Sequence, residues 1–219
     1  MEINEIKKLF KGKFKLGDSC SKKVLILDNK ICKVKEKLLK NPQLKEILVE
    51  LLIMKCIIEL NDEKYPFEIV QEVYEIDKFN IKALILEIRL ENWVYGKIQE
   101  VTIKKVSNIL IKNINTSFIY FGILKYYEAF YNFELNNLDR GFECINKSLS
   151  YWDKNSSAYR LYGYMLEKIG KIDESKGMYK LEKLNMHYYR INISEYNWSD
   201  FDFYMYKIAQ NLDIVEENE

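Results

Sequence analysis

Glycine and proline are scarce in this sequence, at 8 and 2 of 219 residues. A sandwich or barrel needs a breaker at each of its many turns, so the scarcity argues against both and favours helices. Histidine occurs once, as His187. That excludes a multi-histidine metal site within one chain and leaves no support for a histidine-dependent triad; His187 reads as a turn residue, not a general base. Cys20, Cys32, Cys56 and Cys144 form neither a CxxC pair nor the close spacing of a zinc site, and read as buried free thiols. No GxxxxGK[ST] or GxGxxG loop is present to cradle phosphates, and no HExxH. Glu128 and Glu134 are six residues apart, which does not place them squarely on one helix face. The chain reads as a non-enzyme without a cofactor.

Long apolar runs are missing too. Lys55 and Glu59 interrupt the best stretch, Leu44 to Leu60, which falls short of the roughly 18–20 apolar residues that cross a bilayer. Lys7, Lys8, Lys11, Lys13 and Lys15 near the N-terminus are not followed by an apolar segment or a small-residue cleavage site. The expectation is a cytoplasmic protein with no membrane span.

What is present supports a folded helical chain. Apolar residues make up 48%, enough for a sizeable core, while the sparse alanine leaves tertiary packing as the main source of helix stability. Charge is unevenly placed: residues 1–40 hold twelve lysines against five acids, and the rest of the chain sums to −6. A basic segment of this kind suits nucleic acid or an anionic surface, or is simply a solvated arm. The absence of an aromatic pair or arginine fork among these lysines weighs against nucleic acid.

Helix signals begin at Asn41-Pro42, with Asn as a cap and Pro in the first turn, and run to about Leu60. Pro66 opens a second, shorter helix, and the two form a hairpin. Ile81 to Trp93 and Val101 to Ile114 make the next pair around Tyr95-Gly96. Ser117 to Leu135 is almost continuously apolar and aromatic; Asn136-Asn137 separates it from a helix carrying Phe142, Ile145 and Leu149. Ser156 to Ile169 and Ile172 to Leu184 flank Gly170, and a candidate capping helix, Ser199 to Leu212, precedes the acidic tail Glu216, Glu217, Glu219. Before residue 41, Lys23 to Asp28 fits either a short strand or a helix turn.

These pairs repeat. Ala129 and Gly163 lie 34 residues apart, as do Gly141 and Ser175, and Ile145 and Tyr179. Met54 and Ile88 share that spacing, but Ile88 to Ala129 is 41, so one unit holds seven extra residues. The stretch from Ser156 to Ser175, with Tyr159, Gly163, Ser175 and Tyr179, resembles the tetratricopeptide repeat family. There a bulky residue followed by small ones lets paired helices approach. Glu182 stands where that family prefers a small residue and His187 where it prefers proline, so the resemblance is to a divergent member; another helical-hairpin solenoid, such as a HEAT-like array, is the alternative.

The resemblance implies an all-α solenoid of antiparallel hairpins, a tetratricopeptide-like superhelix. Its units run at about 47–80, 81–121, 122–155 and 156–189, with a cap at 199–212, inside a repeat domain of 41–215. It also implies a bacterial-type scaffold or adaptor that binds protein or peptide on the concave face of its first helices. Carried onto this chain, that face takes Lys82, Ile85, Arg89, Asn92 and Trp93, then Tyr126, Phe130 and Phe133, then Arg160, Tyr164, Glu167 and Lys168. Arginine grips carboxylates bidentately and rings supply buried area, which suits a peptide with apolar anchors and a carboxylate. The alternative function is a peptide-responsive regulator whose basic N-terminal segment contacts a second macromolecule. Trp198, Phe201, Phe203, Tyr204 and Tyr206 offer a patch for homo-oligomers.

Overall fold

The computed structural model of the chain describes residues 20–112 and 118–186, which hold nine α-helices and no strand. The chain divides into two compact units at Val94–Tyr95. The first contains α1 (Cys20–Leu38), α2 (Leu44–Asn61), α3 (Phe67–Ile76) and α4 (Ile81–Tyr95, to Val94). The second contains α5 (Glu100–Lys112), α6 (Phe118–Glu134), α7 (Leu138–Tyr151), α8 (Ser156–Lys168) and α9 (Ile172–Met186). The expected helix at 199–212, the C-terminal aromatic patch and His187 lie outside the described residues.

In the first unit α2 is apolar on nearly every side, and Leu48, Leu51, Leu52, Ile53 and Cys56 are fully buried. A helix hydrophobic all round belongs at the centre of its unit, and α1 and α3 both pack on it. The strand-or-helix alternative at Lys23–Asp28 resolves to helix. Leu27 and Ile31 there are buried, because a four-residue spacing puts both on the face that meets α2. The start of α2 differs from expectation: Asn41 does not cap it. Its side chain accepts the Gln43 N–H at 3.2 Å in a turn before the helix, and the helix begins at Leu44. Pro66 does precede α3, and Asn80 caps α4 by accepting the Ala83 N–H at 2.9 Å.

The second unit stacks two hairpins, α6/α7 and α8/α9, and their first helices touch. Both hairpin turns are closed by one device. At Asn136 and at Gly170, 34 residues later, the backbone adopts φ of 60° and 79°, turning the following N–H groups back on the helix. Asn137 N–H bonds to the Asn132 carbonyl at 2.8 Å, and Lys171 N–H to that of Leu166 at 2.9 Å. Small residues then set the helix separation. A Cβ on Gly163 would come within 2.8 Å of the Tyr179 ring, and one on Gly122 within 2.8 Å of the Trp152 Cβ. Ala129, Cys144, Ile145, Ala158, Leu161 and Met165 form the core between the hairpins.

Cys56 and Cys144 are buried free thiols, whereas Cys32 is exposed, against expectation, because it faces away from α2 on the solvent side of α1. Burial, with Glu59 beside it, pushes the Cys56 thiol up to about 12, and burial with Glu128 nearby pushes Cys144 up to about 11. The Tyr74 phenol is also raised, by burial and by Glu87, to which it donates at 2.7 Å. Groups raised on folding stay protonated while the unfolded chain ionises, so below the ordinary thiol range they add no pH dependence and above it they cost stability. The melting temperature should therefore fall between about pH 9 and about pH 12, and Cys56→Ala with Cys144→Ala should flatten that fall. An equal slope in both proteins would place the alkaline lability elsewhere.

Candidate protein-binding face

The ten residues expected to bind a partner fall into two groups, one in each compact unit. In the first unit, Lys82 is held by Glu50, with Nζ 2.5 and 2.7 Å from the two carboxylate oxygens, and is mostly covered. Arg89 is half-buried, while Asn92 and Trp93 emerge at the end of α4, the indole 52% exposed. Ile85 is fully buried and has no surface to offer, because it sits on the inner side of a helix that is covered along most of its length.

In the second unit the candidates come together on α6 and α8. Tyr126, Phe130 and Phe133 are half-buried, each packed from above on the Ala129–Leu161 core. Tyr126 and Phe130 rings lie 6.4 Å apart. The Lys168 ammonium sits 4.9 Å over the Phe133 ring, a cation–π contact that joins the two helices. Tyr164, 48% exposed, meets the edge of Tyr179 with centroids 6.0 Å apart. The Arg160 guanidinium lies near both Tyr126 and Tyr164.

Arg160 is already engaged. Its Nε and Nη2 both donate to one carboxylate oxygen of Glu182, at 2.5 Å each, across the α8/α9 hairpin. Glu182 occupies the position where a small residue was expected, and the cation opposite is what makes an acid there tolerable. Glu167 is exposed. Burial, with Glu167 also nearby, pushes the Tyr179 phenol up to about 12. The strip therefore offers rings and one exposed ammonium, with its guanidinium occupied from within.

Two features were not read from the sequence. Glu128, on α6, is buried and bound by Lys125 at 2.6 Å and by Arg140 of α7 at 3.1 Å. Charged residues at helix surfaces read as solvated, and nothing in a spacing of twelve signals a contact across a hairpin. At the other end of α6, Phe118 stacks on Tyr151 at 6.2 Å and 9°, and both rings meet Phe121 edge-on. Among the described residues no group of three His, Cys, Asp or Glu is placed to hold a metal ion, and no helix is long and apolar enough to cross a membrane.

No family model and no curated protein matches this sequence. Solved structures do. One crystal structure of MamA matches with a TM-score of 0.52 and 17% identity over 74% of this chain and 90% of that one. A second MamA structure gives 0.52 and 16% over 88% and 98%. Yeast Tom70 gives 0.59 and 17% over 88% of this chain and 40% of its own longer chain. Both proteins are of the tetratricopeptide type. With its antiparallel hairpins, a 34-residue period repeated in the turn geometry and small residues at the helix crossings, this chain has the fold of a divergent tetratricopeptide-like repeat protein.

Proposed function

We propose that this chain is a non-catalytic protein-binding scaffold, and that it holds a peptide segment of its partner against α6 and α8 of the second unit. The observation that carries the reading is the continuous strip of Tyr126, Phe130, Phe133, Tyr164 and Lys168, in which half-covered rings lie beside an exposed ammonium. Rings fixed from below by a core lose little freedom on binding, so burying them further is efficient. The occupant would be a segment with an apolar or aromatic anchor and an acidic residue within reach of Lys168. Arg160 would brace the surface through Glu182 and leave carboxylate recognition to the lysine. The shared fold with MamA and Tom70 is consistent with a scaffold of this type but names no partner.

Selection of peptides from a random display library on the purified protein tests this. Selected sequences should carry an aromatic or large aliphatic residue near an acid. Tyr164→Ala with Lys168→Glu should weaken them roughly 30-fold or more in calorimetry without shifting the melt, since both side chains are exposed. Peptides that bind the double variant as tightly as the parent would remove the strip from the binding site.

A further inference from the structure

A second surface, in the first unit, is independent of that strip. Helix α1 buries Leu27 and Ile31, with Val24, Val34 and Leu38 half-covered around them. Lys22, Lys30, Lys33 and Lys37 follow one another at eight, three and four residues, so they run down a single flank of the helix. At about 1.5 Å per residue the row is roughly 22 Å long. The turn after the helix adds exposed Lys40.

The acids that would neutralise this row are placed or occupied elsewhere. Asp28 is bound by Lys55 of α2 at 2.6 Å, and Lys35, on the other flank, is bound by Glu72 of α3 at 2.6 Å. Glu36 is the remaining acid of the helix. Lys33, Lys37 and Lys40 carry no ion pair among the described residues. Beside the lysines stand two aliphatic side chains with no apolar cover: Leu25 at 62% exposed and Leu39 at 94%.

The geometry points to an anionic lipid surface as the ligand of this face, bound peripherally through the lysine row with Leu25 and Leu39 entering the headgroup layer. Lysine ammoniums are flexible point charges that suit a fluid array of headgroups, each adding to the attraction. Exposed leucines gain by leaving water at a lipid interface, whereas a phosphodiester backbone offers them nothing. No arginine and no aromatic residue lies in α1 or its following turn to fork a phosphate or stack on a base, which sets nucleic acid aside.

Co-sedimentation with vesicles tests this using the whole chain. One set would mix phosphatidylglycerol with phosphatidylcholine, and the other would be phosphatidylcholine alone. Binding is expected to the anionic vesicles only, and to fall as salt is raised. Lys33→Gln, Lys37→Gln and Lys40→Gln together should cut it roughly 100-fold, while Leu25→Ser with Leu39→Ser should weaken it with less change in salt dependence. All five positions are exposed, so circular dichroism should be unchanged. Failure to sediment with anionic vesicles, or equal sedimentation of the triple variant, overturns the assignment. Competition by random-sequence duplex DNA at lower concentration than the lipid also overturns it, in favour of nucleic acid. Peptide binding at Tyr164 and Lys168 is measured separately, so either proposal can fail without the other.

Discussion

Gly163→Leu should lower the melting temperature by roughly 5–10 °C, because overpacking a helix crossing costs about 1–3 kcal/mol and occasionally more. A Cβ at this position would meet Cζ and Cδ1 of the Tyr179 ring at 2.8 and 2.9 Å, nearer than such contacts occur. The ring has little room to retreat, since its other side meets Tyr164. Leucine is the better helix former by about 1 kcal/mol, so the loss measured is what remains after that gain. Adding Tyr179→Ala to the leucine variant should restore part of the melt, with a coupling energy that two independent sites would not show. An unchanged melting temperature for the single variant, or strict additivity in the pair, would show that the close approach of α8 and α9 does not depend on glycine.

Glu128→Ala should destabilise the second unit by about 3–5 kcal/mol, the usual cost of leaving a buried charge without its partner. Glu128 is 7% exposed and receives Lys125 from its own helix and Arg140 from α7. Arg140 has Glu143 as a second partner and open water, so the loss falls mainly on the Lys125 ammonium, whose side chain is mostly covered. Glu128→Ala with Lys125→Leu should recover much of the stability, since an apolar pair of similar volume often matches a buried ion pair. Denaturant melts of the three proteins decide it. A loss below about 1 kcal/mol in the single variant would mean that Lys125 reaches water easily and that the pair behaves as a surface contact.

Much of the fold was legible in the sequence because it rests on local signals. Gly170 and Asn136 mark turns by their tolerance of positive φ, and the 34-residue spacing of Gly141 and Ser175 marks where second helices approach first ones. The first α1 turns were ambiguous, since a run as short as Val24 to Leu27 fits either period. Only contact with α2 selects the helix. The binding face was harder to read. Helical spacing places Tyr126, Phe130 and Phe133 on one side of α6 but does not say how deeply they are buried. Arg160 looked like a free cation because its partner, Glu182, lies 22 residues away on the next helix. Long side chains choose partners in space, and a pattern along the chain does not carry that information.

One polar thread in the second unit has a kinetic consequence. Asn155 caps α8 by accepting the Ala158 N–H, and its amide reaches Ser148 Oγ of α7 at 3.4 Å, which donates to the Gly122 carbonyl of α6 at 2.7 Å. Opening the start of α8 therefore exposes a buried amide and a buried hydroxyl on its neighbours, which have no water to turn to. Repeat hairpins can otherwise fray one at a time from an end. Here the two hairpins should open as a single foldon, and amide protons in α6, α7 and the first turn of α8 should exchange with solvent at one shared free energy.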